Sequence, residues 1–159
     1  MRKFRSSRGW RNNNPLNIRR GEKWMGLVDR PTDKKFCQFI SMAFGYRAAY
    51  KIMKSYVRYF RQQGRVMLIG DVIARWAPEC ENNTTNYYNR VEDILGCTTS
   101  SLPLYPGLSK FQDERVGRLM AAMTCVECGC QPQDVDCAAI AKGILLAGGH
   151  EVDPESLRI

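Results

Sequence analysis

The feature that most constrains this chain is an apolar stripe in which Ala49, Ile52, Met53, Tyr56, Val57 and Phe60 recur at steps of three and four residues. That spacing puts all of them on one face of an α-helix, whereas a strand alternates its faces every second residue. Ser41 is placed to cap the helix and Gly64 to end it. Shorter stripes follow. Ile69, Val72, Ile73 and Trp76 predict a helix that must stop before Pro78. Tyr87, Tyr88, Val91, Ile94 and Leu95 predict another, capped by Asn83 or Thr84 and closed by Gly96. After the loop CTTSSLPLYPGL comes a C-terminal helical pair within residues 109–150. Ser109-x-x-Gln112 has the capping-box pattern and opens a helix with Val116, Leu119, Met120 and Met123 in phase. The last helix begins near Asp134 or Asp136, buries Ile140, Ile144 and Leu145, and ends at Gly148-Gly149.

Residues 24–40, WMGLVDRPTDKKFCQFI, break this pattern with two short apolar ends around a polar centre, which reads as a small β-hairpin. The expected fold class is therefore mostly α, an α+β arrangement with one small β-hairpin. It forms a single domain over residues 1–159, in which residues 1–20 are a basic, Asn-rich start. A chain of 159 residues that is 44% hydrophobic buries a real core.

Charge narrows the partners. The net charge is +8, and Arg2, Lys3, Arg5, Arg8, Arg11, Arg19 and Arg20 all precede the first acid, Glu22. Such a start suits an anionic partner: nucleic acid, a membrane surface or the bacterial cell wall. A solvated terminus that does little is the plain alternative. No apolar run is long enough to span a bilayer, and MRKFRSSRGW has no apolar segment behind its basic residues, so neither a membrane span nor a signal peptide is expected. The expectation is synthesis in the bacterial cytoplasm, with the protein then carried on a virion or released to the wall.

Seven cysteines, an odd number, predict reduced thiols. Cys125-x-x-Cys128 is half of a zinc spacing, with Cys137 nearby, but a second such pair or a paired histidine is missing and the only histidine is His150. Buried thiols packing as small hydrophobes are the better reading, and no metal or other cofactor is expected. A Cys37 nucleophile with a His150 base is a further candidate, weaker than Cys37 as an inward residue between Phe36 and Phe39.

Extending the fifth helical stripe one turn beyond Met123 reaches Glu127. A carboxylate there is desolvated by the core side and opposed by the helix C-terminus, both of which raise its pKa. A carboxyl group protonated near neutrality is what acid catalysis of glycosidic cleavage needs. The bland alternative is a glutamate swinging into water at a frayed helix end. Glu79 and Glu81 lie in the polar loop APECENNTT, where capping and binding roles weigh about equally.

Several segments together, RGWRNNNPLNIRRGEKWMG, FGYRAAYKIMKSY, RWAPECENNT and LMAAMTCVECG, resemble a family of phage and prophage proteins variously labelled virion structural proteins or lysozyme-like peptidoglycan hydrolases. The matching positions are Asn12, Asn13, Asn14, Pro15, Asn17, Ile18, Trp24, Gly26, Trp76, Ala77, Pro78, Glu81, Asn82, Glu127 and Gly129. Leu16 stands where the family has glycine, which suggests an altered backbone turn there, and residues 130–159 have no counterpart. In lysozyme-like enzymes the glutamate precedes the asparagine segment. Here the order is reversed, which implies a circularly permuted lysozyme-like core.

The resemblance implies a peptidoglycan-binding and glycan-cleaving protein, a glycoside hydrolase or lytic transglycosylase. Glu127 would be the general acid and Glu81 the second carboxylate, while Asn13, Asn14, Asn17, Trp24, Trp76 and Asn82 would hold the substrate. The alternative is a noncatalytic virion structural or cell-wall-binding protein, with virion proteins as further partners. A nucleic-acid-binding protein is the third and least favoured class.

Overall fold

The computed structural model describes residues 3–80 and 83–159, so that Arg2 of the basic start, and Glu81 and Asn82 of the polar loop, lie outside the described residues. The α-helices in chain order are α1 (Arg8–Arg11), α2 (Met42–Gln62), α3 (Ile69–Trp76), α4 (Thr84–Leu95), α5 (Lys110–Cys128) and α6 (Cys137–Leu146). Short 3-10 turns occupy Lys3–Ser6, Pro132–Asp134 and Pro154–Leu157.

α5 is the central element. Leu119, Met120, Ala121, Ala122, Met123, Thr124 and Cys125 are consecutive and essentially unexposed, so this stretch is enclosed all round. α1, α4, α6 and the C-terminal turn pack around it. Gly117 admits that turn, because a Cβ there would lie 2.5 Å from Leu157 Cδ2. The one polar side chain in the buried stretch, Thr124, donates to the Met120 carbonyl and pairs with Tyr46 of α2 at 2.8 Å, which satisfies its hydroxyl. α2 lies close against α6 at Gly143, where a Cβ would come within 2.8 Å of the Ala43 carbonyl oxygen and of Tyr46 Cβ.

The helix ends follow from their residues. Asn83 caps α4 by accepting from the Asn86 amide, Asp136 caps α6 by accepting from Ala139, and Gly96 and Gly129 close α4 and α5 in the left-handed region at φ 71° and 69°. The capping box at Ser109 forms only half. Ser109 Oγ accepts from the Gln112 amide, but Gln112 Oε1 turns to the Tyr105 amide and secures the preceding loop. Leu145, expected in the core, is 52% exposed on the outer face of α6.

The α+β expectation, with its lysozyme-like β-hairpin, is overturned: among the described residues there is no strand, and the fold is mostly helical without a β element. Where the hairpin was expected, residues 24–40 make only isolated bridges, Arg19 with Phe36 and Leu27 with Phe39. Side chains do the work of a ladder. The Asp33 carboxylate accepts from Arg8 Nε and Nη2, Asn12 Nδ2, and the Lys35 and Phe36 amides. Gln38 Oε1 accepts from the Thr32 and Asp33 amides, while its Nε2 donates to Asn12 Oδ1 and Thr32 Oγ1. With its polar groups met this way, and Pro31 offering no amide, the segment has no need of continuous pairing.

Candidate functional site

The stretch from Asn12 to Arg20 leaves α1 and crosses the ends of α2, α3 and α5 as an ordered turn. Asn14 is wholly buried. Its Nδ2 donates to the Ile18 and Cys37 carbonyls at 2.9 and 3.0 Å, and its Oδ1 accepts from the Ile18 amide at 2.9 Å. Asn13, at φ 50°, donates through Nδ2 to the Phe39 carbonyl, and its own carbonyl packs where Gly45 of α2 lacks a side chain. These two asparagines, expected to hold substrate, instead tie the turn to residues 37–39. Leu16, where a turn altered from the family's was expected, is a core residue with 1% exposure, and the positive φ angles fall on Asn13 and Asn17.

Asn17 has a different place. At φ 54° it lines a cleft of about 510 Å³ whose walls also carry Trp24 and Trp76. Arg19, Arg20 and Glu22 come from the same turn, Ile52, Ser55 and Tyr56 from α2, and Arg75 and Pro78 from α3 and its end. Trp76 is fixed by donating through Nε1 to the Leu16 carbonyl at 3.0 Å and by an edge contact with Tyr56, ring centroids 6.3 Å apart. Arg75 stacks over Tyr56 at 4.7 Å and Tyr59 at 4.1 Å. The cleft therefore offers indole and phenol surface, an amide and guanidinium groups.

Glu127, half-buried at the C-terminal end of α5, is hydrogen-bonded by the Asn17 side chain. Burial raises its pKa to about 7, and the Asn17 bond works in the opposite direction. Its charge pushes up the buried Tyr87 hydroxyl of α4, after the larger effect of burial. The Asn17 Oδ1 is buried without a partner, against Gly9. Asn17 is thus the residue shared by the carboxyl group and the cleft, while Glu127 is not itself among the residues that line the cleft. Glu79 is exposed. The second expected carboxylate, Glu81, and its neighbour Asn82 lie outside the described residues.

Glu22, Tyr56 and Arg75 are cleft residues that the sequence did not single out, while Arg19 and Arg20, read there as part of the basic start, line the cleft as well. Tyr56 had been assigned to the core stripe, on which it is only partly buried, and Arg75 carried no signal except its place beside Trp76.

The thiol candidates separate. Cys37 is 2% exposed, its thiol is pushed up by burial, and its Sγ donates to the Arg19 carbonyl. His150 is engaged elsewhere: its Nδ1 and its backbone amide both meet Asp113 Oδ2 at 2.8 Å. Asp113 is wholly buried, and its other oxygen accepts from Tyr50 Oη and the Gly107 amide. A Cys37–His150 pair is therefore not formed. Cys125, Cys128, Cys130 and Cys137 are buried and free, and among the described residues no group of three or more His, Cys, Asp or Glu side chains is arranged to hold a metal ion.

Fold and site together define a helical domain with an aromatic and cationic cleft beside a partly buried glutamate. The chain is 36% identical over 136 residues to Protein P5 of Pseudoalteromonas phage PM2, a match covering 82% of this chain and 77% of that protein. It belongs to the family of that phage protein. No protein-family model matches it. Among the described residues no helix is long and apolar enough to cross a membrane.

Proposed function

We propose that this protein is a virion-associated, cell-wall-binding protein whose cleft receives a glycan strand of peptidoglycan. One observation carries the reading: Asn17 and Trp24 from one segment and Trp76 from a distant helix converge on one cleft together with Arg19, Arg20 and Arg75. Indole faces suit the apolar faces of sugar rings, an amide suits N-acetyl and hydroxyl groups, and guanidinium groups suit an anionic polymer. Membership in a phage protein family supports delivery to a bacterial surface. Co-sedimentation with purified sacculi tests the reading. Wild-type protein is expected to pellet and Trp24→Ala, shown folded by helical circular dichroism, to remain in solution; equal pelleting of both would overturn it.

A second reading, glycan cleavage, is favoured by Glu127, whose pKa of about 7 keeps a proton available near neutrality. Glu127 would give that proton to the glycosidic oxygen as the bond to the anomeric carbon breaks. A carboxylate then takes a proton from the water that adds to that carbon. Glu81 is the expected one, and Glu22, on the cleft wall, is the other candidate. Muropeptide release from several walls, abolished in Glu127→Gln, is the expected result. No release from any wall would remove cleavage and leave binding in place.

A further inference from the structure

The long helix α2 contains no acidic residue, yet Arg47, Lys51, Lys54, Arg58 and Arg61 recur along it at steps of four, three, four and three. At 3.6 residues per turn these side chains fall within an arc of about 80°, as a straight row about 21 Å long. Lys51, Lys54, Arg58 and Arg61 are exposed, and among the described residues none of them is paired with a carboxylate; Arg47 donates to the Leu146 carbonyl. The concentration is not a by-product of composition. Residues 1–76 carry 18 Lys and Arg against 4 Asp and Glu, and residues 77–159 carry 6 against 12. Like charges at successive helical turns repel, so the row costs the isolated protein stability that a bound anion would restore.

The row meets the cleft at Ser55, which lines the cleft and lies about 40° round the helix from Lys51. Ile52 and Tyr56 line it farther round, about 100° and 140° from Lys51, so side groups branching from a polymer in the cleft reach the row by crossing Ser55. The row carries no apolar side chain to insert between lipid tails, so it is suited to a polymer rather than to a bilayer.

We propose that the outward face of α2 seats the carboxylate-bearing peptide stems of the wall polymer whose sugar chain occupies the cleft. The proposal rests on the glycan-binding reading and adds which part of the polymer gives the protein its preference: acidic side groups, read by α2, as distinct from the sugar backbone, read by the cleft.

The test compares wild type with the variant K51Q/K54Q/R58Q/R61Q against a neutral β-1,4-linked N-acetylglucosamine oligomer, soluble peptidoglycan strands with intact stems, and duplex DNA. All four substituted positions are exposed, and because the substitutions relieve like-charge repulsion the variant is expected to unfold at the wild-type midpoint or slightly above it. Its affinity for stem-bearing strands is expected to fall about tenfold at low ionic strength, and the difference to close near about 0.5 M salt. Affinity for the neutral oligomer is expected to stay unchanged. Binding of both glycans with no loss in the variant overturns the α2 proposal and leaves the cleft reading standing. Binding of neither glycan by wild type overturns both. Duplex DNA bound as tightly as the strands, with the same loss in the variant, overturns the assignment of the row to wall carboxylates.

Discussion

Replacing Glu127 by glutamine should change how stability depends on pH. The Glu127 carboxyl titrates from 4.5 in the unfolded chain to about 7 in the folded protein, with burial as the main cause. A carboxyl raised on folding favours the native state only while it is protonated. Its contribution is complete below about pH 4.5, falls by about 1.4 kcal/mol per pH unit between about 4.5 and 7, and is flat above that. The total lost across this window is about 3 kcal/mol. Glutamine keeps the size and the contact with Asn17 but has no proton to lose. Near pH 4 the variant and wild type should unfold at similar urea concentrations, and at pH 8 the variant should be the more stable. With a urea slope of about 2 kcal/mol/M for a domain of this size, the two midpoints should separate by roughly 1.5 M. Urea unfolding followed by helical circular dichroism, at half-unit steps from pH 4 to 8.5, measures this directly. A midpoint difference that stays constant over that range would show that Glu127 titrates alike in the folded and unfolded protein, and the reasoning about its burial would fail.

Other substitutions follow from the packing. Asp113→Ala leaves Tyr50 Oη, the Gly107 amide and both His150 donors without their acceptor, and should cost about 3–5 kcal/mol in denaturant unfolding. Gly143→Ala places a Cβ 2.8 Å from the Ala43 carbonyl oxygen and 2.9 Å from the Arg47 amide, so α2 and α6 must part. A loss of about 1–3 kcal/mol is expected, read as a lower thermal midpoint. The asparagines should separate by role. Asn14→Ala should destabilise the fold by about 2–4 kcal/mol, because three buried hydrogen bonds are lost together. Asn17→Ala should raise the Glu127 pKa further, since it removes the hydrogen bond that holds it down, and the NMR titration of the Glu127 carboxyl carbon reads this.

The helices were legible because their signals are local. The caps at Asn83 and Asp136, the glycine at Gly96, and the stripe from Ala49 to Phe60 each act within a few residues. The central role of α5 was less so: a helix enclosed on every side loses the one-sided pattern by which an amphipathic helix is recognised, and only part of its buried surface stood out. The hairpin failed for the opposite reason. The short apolar run at 36–40 does mark an extended segment, but whether it finds a ladder depends on distant groups, here Arg8 and Asn12 reaching Asp33 and Gln38.

The asparagine turn was legible as a turn, yet Asn13, Asn14 and Asn17 have identical chemistry in sequence. Only the placement of Cys37, Phe39 and Glu127 around them assigns two to architecture and one to the cleft. Glu127 could be picked out because its helical phase and the glycine after it together fix an acid at the edge of the core.

The central claim, that the cleft receives a glycan strand, is tested most directly by the three indole N–H signals of the protein, from Trp10, Trp24 and Trp76. Trp24 and Trp76 line the cleft, whereas Trp10 packs against Phe4, ring centroids 4.9 Å apart, and does not. During titration with soluble peptidoglycan strands, the Trp24 and Trp76 signals should move together with one half-saturation point while Trp10 stays in place. Strands that bind while the Trp24 and Trp76 signals remain fixed would contradict the account.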